Sequence, residues 1–148
     1  MSKSAVKLSI KKDLRFEYAH RLCDYDGKCA NVHGHNQKLE VHFRRVNELI
    51  DSQGFVIDFG DVKKGIGNWI DENWDHGLIL NSNDSALIQK MKEFGYKVFV
   101  MDTNPTAENM ALYLLNIVGP SLYHNSGVEI FKVEVFENDF CSAIAELA

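Results

Sequence analysis

The stretch CANVHGH, residues 29–35, places Cys29, His33 and His35 within seven positions of a chain that has only three cysteines and six histidines. Such a cluster could be a metal site, a thiol nucleophile with its base, or an accident of a loop. Histidines two apart on an extended segment project to the same side, so both can reach one ion, and neutral imidazole is a preferred ligand for zinc.

A strand pairing supplies the third imidazole. Residues 6–20 alternate as a strand, with Leu14, Phe16, Tyr18 and His20 on one face and Arg15 and Glu17 on the other. Residues 35–45, HNQKLEVHFRR, alternate likewise, with Leu39, Val41 and Phe43 apolar and His33 and His35 preceding them in phase. Paired as an antiparallel ribbon, the end of the first strand lies beside the start of the second, and His20 meets His33 and His35 across the ladder. The loop between them, residues 21–32 with Gly27, would hang Cys29 over the three rings. Three histidines leave a tetrahedral ion one open position, the pattern of a catalytic site. Cys29 could close that position as a fourth ligand or stand beside the ion as a free thiol; spacing alone leaves both readings open.

Other candidates carry less. In WDHGLILN, Asp75 and His76 read equally as a helix-end turn and as an acid/base pair. Glu137 ends a late strand, where a carboxylate is usually just solvated. His42 reads as a surface or interface residue, His124 has no role, and Cys23 and Cys141 are ordinary thiols.

The remaining elements must position these residues. FVIDF, residues 55–59, reads as a short strand, and Asp58 or Asp61 as the cap of a helix running to about Asn73. Asn83 or Asp84 would cap a helix over SALIQKMKEF that stops at Gly95, and residues 96–102 form a further strand region. Residues 106–118 make an amphipathic helix ended by Gly119 and Pro120, and residues 128–137 alternate as a final strand. The order predicts an α+β fold with an antiparallel sheet and helices on one face.

Composition sets the class. The 148 residues suit one domain, 1–148, with 45% hydrophobic and 25% charged residues and only two prolines. A net charge of -5 argues against nucleic acid or an anionic membrane surface as a partner, since both need a basic patch. No signal-peptide stretch and no run of about 18 apolar residues is present, so a cytoplasmic location is expected, and three cysteines fit free thiols in a reducing compartment.

Taken in order, FEYAHRL, CANVHGH, GFVIDFGDVKK, DHGLILN, NPTAEN and VFEND resemble the 6-pyruvoyl-tetrahydropterin synthase superfamily over nearly the whole chain, and within it the bacterial 6-carboxy-tetrahydropterin synthase group of queuosine biosynthesis. The resemblance implies the tunnelling fold, in which four-stranded antiparallel sheets of several subunits join into a barrel, as a trimer or hexamer. It implies zinc on His20, His33 and His35, a catalytic thiol at Cys29, and a proton-relaying pair at Asp75 and His76 that acts across a subunit boundary. Glu137 would anchor the pterin, with Thr106 and Glu108 contacting it, although those two could equally cap their helix. Arg21 and Lys28 are candidates for attracting phosphate. Glu137 is followed by Asn138 where many relatives have threonine, which removes a hydroxyl contact.

The implied substrate is 7,8-dihydroneopterin triphosphate. Cys29 stands four residues before His33, as in the bacterial group, which favours a 6-carboxy product and acetaldehyde over a 6-pyruvoyl product. A zinc-stabilised, non-catalytic module closed by Cys29 is the rival reading; it leaves Asp75, His76, the PTAEN stretch and Glu137 unexplained.

Overall fold

The computed structural model describes residues 5–148. Its spine is the expected ribbon: β1 (Ile10–His20) runs antiparallel to β2 (His33–Arg45) over its full length, from Ile10 opposite Phe43 to His20 opposite His33. Strand β1 starts four residues later than the alternation suggested, and β2 starts two residues earlier, so that both HGH histidines are inside the ladder. Gly34 between them is tight, since a Cβ there would sit 3.3 Å from the Tyr18 carbonyl oxygen.

The sheet is larger than four strands and is mixed. β3 (Gly77–Asn81) joins β1 in parallel, β4 (Val98–Met101) joins β3 in parallel, β5 (Val128–Phe136) pairs antiparallel with β2, and β6 (Ser142–Glu146) with β5. The order is β4-β3-β1-β2-β5-β6. The parallel strands are possible because a helix separates each from its neighbour in sequence, the crossover that parallel pairing needs.

FVIDF is not a strand. Asp58 instead occupies the N-cap of helix α1 (59–73) and accepts a hydrogen bond from the Gly60 N–H, which makes the segment a helix entry. α2 (Ser85–Glu93) lies on the surface with no buried residue, and Asp84 holds its N-cap position without a capping bond. α3 (107–123) runs through Gly119 and Pro120 rather than stopping there. A π turn over Leu114–Val118 resets the hydrogen bonding, so that Pro120 opens a fresh helical turn where its missing N–H costs nothing. Gly119 marks a close approach instead of an end: a Cβ would lie 3.3 Å from Ile130 Cβ.

Helices α1 and α3 cover one sheet face. Val62, Ile66 and Ile70 from α1 and Met110, Leu114 and Val118 from α3 are buried against Phe16, Leu39, Val41, Phe43, Val133 and Val135. Fully buried Trp74 packs near Phe16, Trp69, Phe99 and Tyr113, with ring centroids 5.2–6.3 Å apart. That core fixes the inward face of β1 and β2, and the histidines continue the same face at the ribbon's end.

Candidate active site

The three histidines converge. His20 Nε2 lies 3.1 Å from His33 Nε2 and 3.2 Å from His35 Nε2, and all three Nε2 atoms fall within 4.8 Å of one another. The other ring nitrogens explain the orientation. His20 Nδ1–H donates to the Pro105 carbonyl at 2.6 Å, and His33 Nδ1–H donates to the Asn31 carbonyl at 2.7 Å. With those protons on Nδ1, the lone pairs of both Nε2 atoms face each other, which is unfavourable unless a cation or proton sits between them. Nitrogens about 2.0–2.1 Å from a tetrahedral ion stand about 3.3 Å apart, close to the observed spacing. Backbone carbonyls on the far nitrogens are the usual outer partners of metal-bound imidazoles. Burial, reinforced by the two neighbouring imidazoles and opposed by the Pro105 carbonyl, pulls His20 down to about 4, so it is neutral and ligand-competent at pH 7. The donor set therefore fits a divalent ion such as zinc, and it is the sole histidine, cysteine or carboxylate group of that geometry among the described residues.

A cavity of about 250 Å³ opens beside the histidines. It is lined by His20, Cys29, Thr106, Glu108, Glu137 and Cys141 among others, so the structure brings together most of the residues singled out in the sequence. Cys29 is half-buried on a one-turn 3₁₀ helix, Lys28–Ala30. It lies outside the converging histidine group. Glu137 follows β5, and its Oε1 lies 3.2 Å from His35 Nε2, bordering the metal position. Thr106 caps α3 by accepting from the Asn109 N–H, with Glu108 in the first turn, and both line the cavity. Burial and the Glu137 carboxylate push the Tyr18 phenol far up; it stays neutral beneath the site.

His76 stands apart, in a separate shallow concavity with Glu17, Tyr18, Gly34 and His35, and Asp75 is its sequence neighbour. His76 is left-handed, with φ 55°, at the turn from α1 into β3. Its Nδ1–H donates to Asp75 at 2.8 Å, and the other Asp75 oxygen accepts from the Glu17 N–H at 2.9 Å. The Asp75 carboxylate raises His76 above its ordinary value. Burial opposes ionisation of Asp75, but the Glu17 N–H and His76 outweigh it and hold the carboxyl low.

Arg21 does not face the cavity as a free cation, because its Nε–H and Nη2–H donate to the two oxygens of the Asp84 carboxylate, the latter at 2.9 Å. Asp84 is thereby withdrawn from capping α2. His42 is more enclosed than expected, with its Nε2 buried, 3.6 Å from Glu40 and edge-on to Phe131. Two residues escaped the sequence reading: Pro105, whose carbonyl sets the His20 tautomer, and Asn104, whose side chain bonds the Cys29 loop. The Asn-Pro dipeptide was the available signal, since the residue before a proline is held extended and its side chain is free to bridge. Two larger concavities, about 540 and 980 Å³, lie at the other end of the sheet around Asn47 and Leu147, away from the histidines.

Comparison with known proteins identifies the family and the fold. The 6-pyruvoyl tetrahydropterin synthase family profile matches residues 9–147. A 6-carboxy-5,6,7,8-tetrahydropterin synthase from Rickettsia bellii is 37% identical over 129 residues, covering 86% of this chain and 92% of the relative. The enzyme of the same name from Haemophilus influenzae is 31% identical over 140 residues, covering 89% and 95%. Among solved structures, an uncharacterized protein from Wolinella succinogenes superposes with a TM-score of 0.81 at 22% identity, covering 97% of this chain and all of that one. The Caenorhabditis elegans 6-pyruvoyl tetrahydropterin synthase does so at 0.66 and 24%, with the same coverage. These two likenesses bear on the fold alone. No helix among the described residues is long and apolar enough to cross a membrane.

Proposed function

The chain belongs to the 6-pyruvoyl tetrahydropterin synthase family, and from that premise we propose that it is a zinc-dependent 6-carboxy-5,6,7,8-tetrahydropterin synthase of queuosine biosynthesis. The observation that carries this reading is the convergence of three imidazoles, one of which, His20, lines a cavity together with the thiol of Cys29 and the Glu137 carboxylate that reaches His35.

The substrate is 7,8-dihydroneopterin triphosphate. Zinc held by His20, His33 and His35 would supply Lewis acidity toward the side-chain hydroxyls and acidify the neighbouring C–H bonds. Cys29, as thiolate, takes a side-chain proton. His76, held by Asp75, moves further protons. Glu137 accepts two parallel hydrogen bonds from the amino-pyrimidinone edge of the pterin, and Thr106 and Glu108 line the same wall. The reaction balances with one water: triphosphate leaves by elimination, with cleavage of its C–O bond to the terminal side-chain carbon, two side-chain carbons depart as acetaldehyde, and the water oxygen enters the carboxyl formed at the remaining carbon while the ring gains two hydrogens.

His76 opens on a different concavity from Cys29, and the proposed relay runs between two copies of the chain. β4 and β6 form the two edges of the sheet, and joining edges between copies removes unpaired strand groups. The proposed assembly is a trimer or hexamer, in the cytoplasm, with no nucleic-acid or membrane partner.

The test is to incubate zinc-loaded protein with 7,8-dihydroneopterin triphosphate and trap the volatile aldehyde. The expected result is acetaldehyde with a 6-carboxy product. Substrate consumption with a pyruvoyl product and no acetaldehyde would assign the 6-pyruvoyl activity instead, and zinc binding without turnover would leave a non-catalytic module.

A further inference from the structure

The thiol of Cys29 sits on a loop, yet its place is tightly determined. The loop leaves β1 at Arg21, Leu22 and Cys23, and the first and third of these are fixed by side chains from elsewhere. Arg21 is gripped by Asp84, which is buried. Cys23 is gripped by Asn104, whose Oδ1 accepts from the Cys23 N–H at 2.9 Å while its Nδ2–H donates to the Cys23 carbonyl at 3.0 Å. Leu22, between the two grips, donates its N–H to the Cys29 carbonyl at 2.8 Å. The thiol-bearing residue is thus hung from a residue clamped on both sides.

Asn104 is itself anchored. Asn81 Nδ2–H, at the end of β3, donates to Asn104 Oδ1 at 3.0 Å, and the Asn104 carbonyl accepts from Asn109 Nδ2–H at 2.9 Å and from the Thr106 N–H at 2.8 Å. The next residue, Pro105, aims His20. One turn therefore orients an imidazole with its backbone and the thiol loop with a side chain.

We propose that Asn104 is a positioning residue for Cys29: its amide pairs in both directions with the Cys23 backbone and so sets where the thiol stands relative to the substrate on the histidine centre. The inference rests on the reading of Cys29 as the reacting thiol. A side chain that accepts and donates at once is required, because the two Cys23 groups are opposite in polarity. Aspartate has the same shape but no donor, and its charge repels the Cys23 carbonyl.

The experiment compares Asn104→Asp and Asn104→Ala with the parent protein and with Cys29→Ala, each zinc-loaded and checked by circular dichroism. Asn104→Asp keeps the packing and the bond from the Cys23 N–H, and so remains informative should the alanine variant fail to fold. Two readouts are taken: kcat and KM for 7,8-dihydroneopterin triphosphate, and the iodoacetamide alkylation rate of Cys29 by mass spectrometry, with exposed Cys141 as internal reference. Displacing a reacting group by about 1 Å can cost about a hundredfold in rate. The expected result in Asn104→Asp is kcat lower by about ten- to a hundredfold, KM within about threefold, unchanged zinc content, and a Cys29-to-Cys141 alkylation ratio changed by at least about threefold. A folded Asn104→Asp with parental kcat and parental alkylation ratio overturns the proposal. Full activity in Cys29→Ala would instead sink the functional reading, while the alkylation ratio would still report whether Asn104 places the thiol.

Discussion

The metal half and the thiol half of the cavity are built by different means. His20, His33 and His35 stand on paired strands whose inward face continues into a close-packed core, so their convergence follows from strand register. Cys29 stands on a loop, and its place follows from four long-range hydrogen bonds made by the side chains of Asn104 and Arg21, at separations of 63 and 81 residues. Register is a property of the whole ribbon: a slip of one residue would turn every histidine to the other face. A polar clamp is local, and can be removed without moving the sheet. The strand-built half should therefore fail only with the ligands or the core, and the loop-built half should fail alone.

The largest effect tests the first half. His33→Ala removes one of three ligands, and zinc content and turnover should both fall to background by metal analysis and by substrate assay. Retention of tightly bound zinc would mean that the convergence at 3.1–3.2 Å does not define the site.

Trp74→Ala attacks the same half from beneath, by emptying a fully buried site near Phe16 on β1. Loss of a buried tryptophan costs about 3–5 kcal/mol, read as a lower denaturant midpoint. A cost under about 1 kcal/mol would mean that this core does not hold the ribbon.

A smaller effect separates Asp75 and His76 from both halves. His76 is 72% exposed, and its raised pKa depends first on the Asp75 carboxylate. Because the folded value is raised, the favourable contact is complete below the ordinary histidine range and is lost as pH rises through the higher folded value. Asp75→Asn should lower the His76 midpoint in an NMR titration toward that of an ordinary histidine. An unmoved midpoint would show that Asp75 does not tune the imidazole.

What the sequence disclosed follows the same division. Period-two alternation carried the pairing of His20 with His33, because every residue of the ribbon votes for the same register. Asp58 as a helix cap was legible from local chemistry. The strand region at residues 96–102 was legible and is β4, but its parallel pairing, β3 and β6 were not: β3 and β4 are short and pair in parallel across intervening helices, and β6, SAIAE, has small residues with little contrast between its faces. FVIDF carried enough apolar residues to resemble a strand, while its aspartate was starting a helix. Gly119 and Pro120 gave a stop signal that a preceding π turn cancels. Arg21 looked free because nothing near it in sequence announces Asp84, and Asn104 went unread because its partner is Cys23, 81 residues away.

The central claim is that three imidazoles hold the metal and that Cys29 stands beside it as the reacting group. The most direct test is the zinc content of purified Cys29→Ala, measured together with its turnover. The account predicts about one zinc per chain, as three histidine ligands suffice for a catalytic site, with acetaldehyde release abolished. Loss of zinc from Cys29→Ala as readily as from His33→Ala would contradict it and make Cys29 a fourth ligand of a closed structural site.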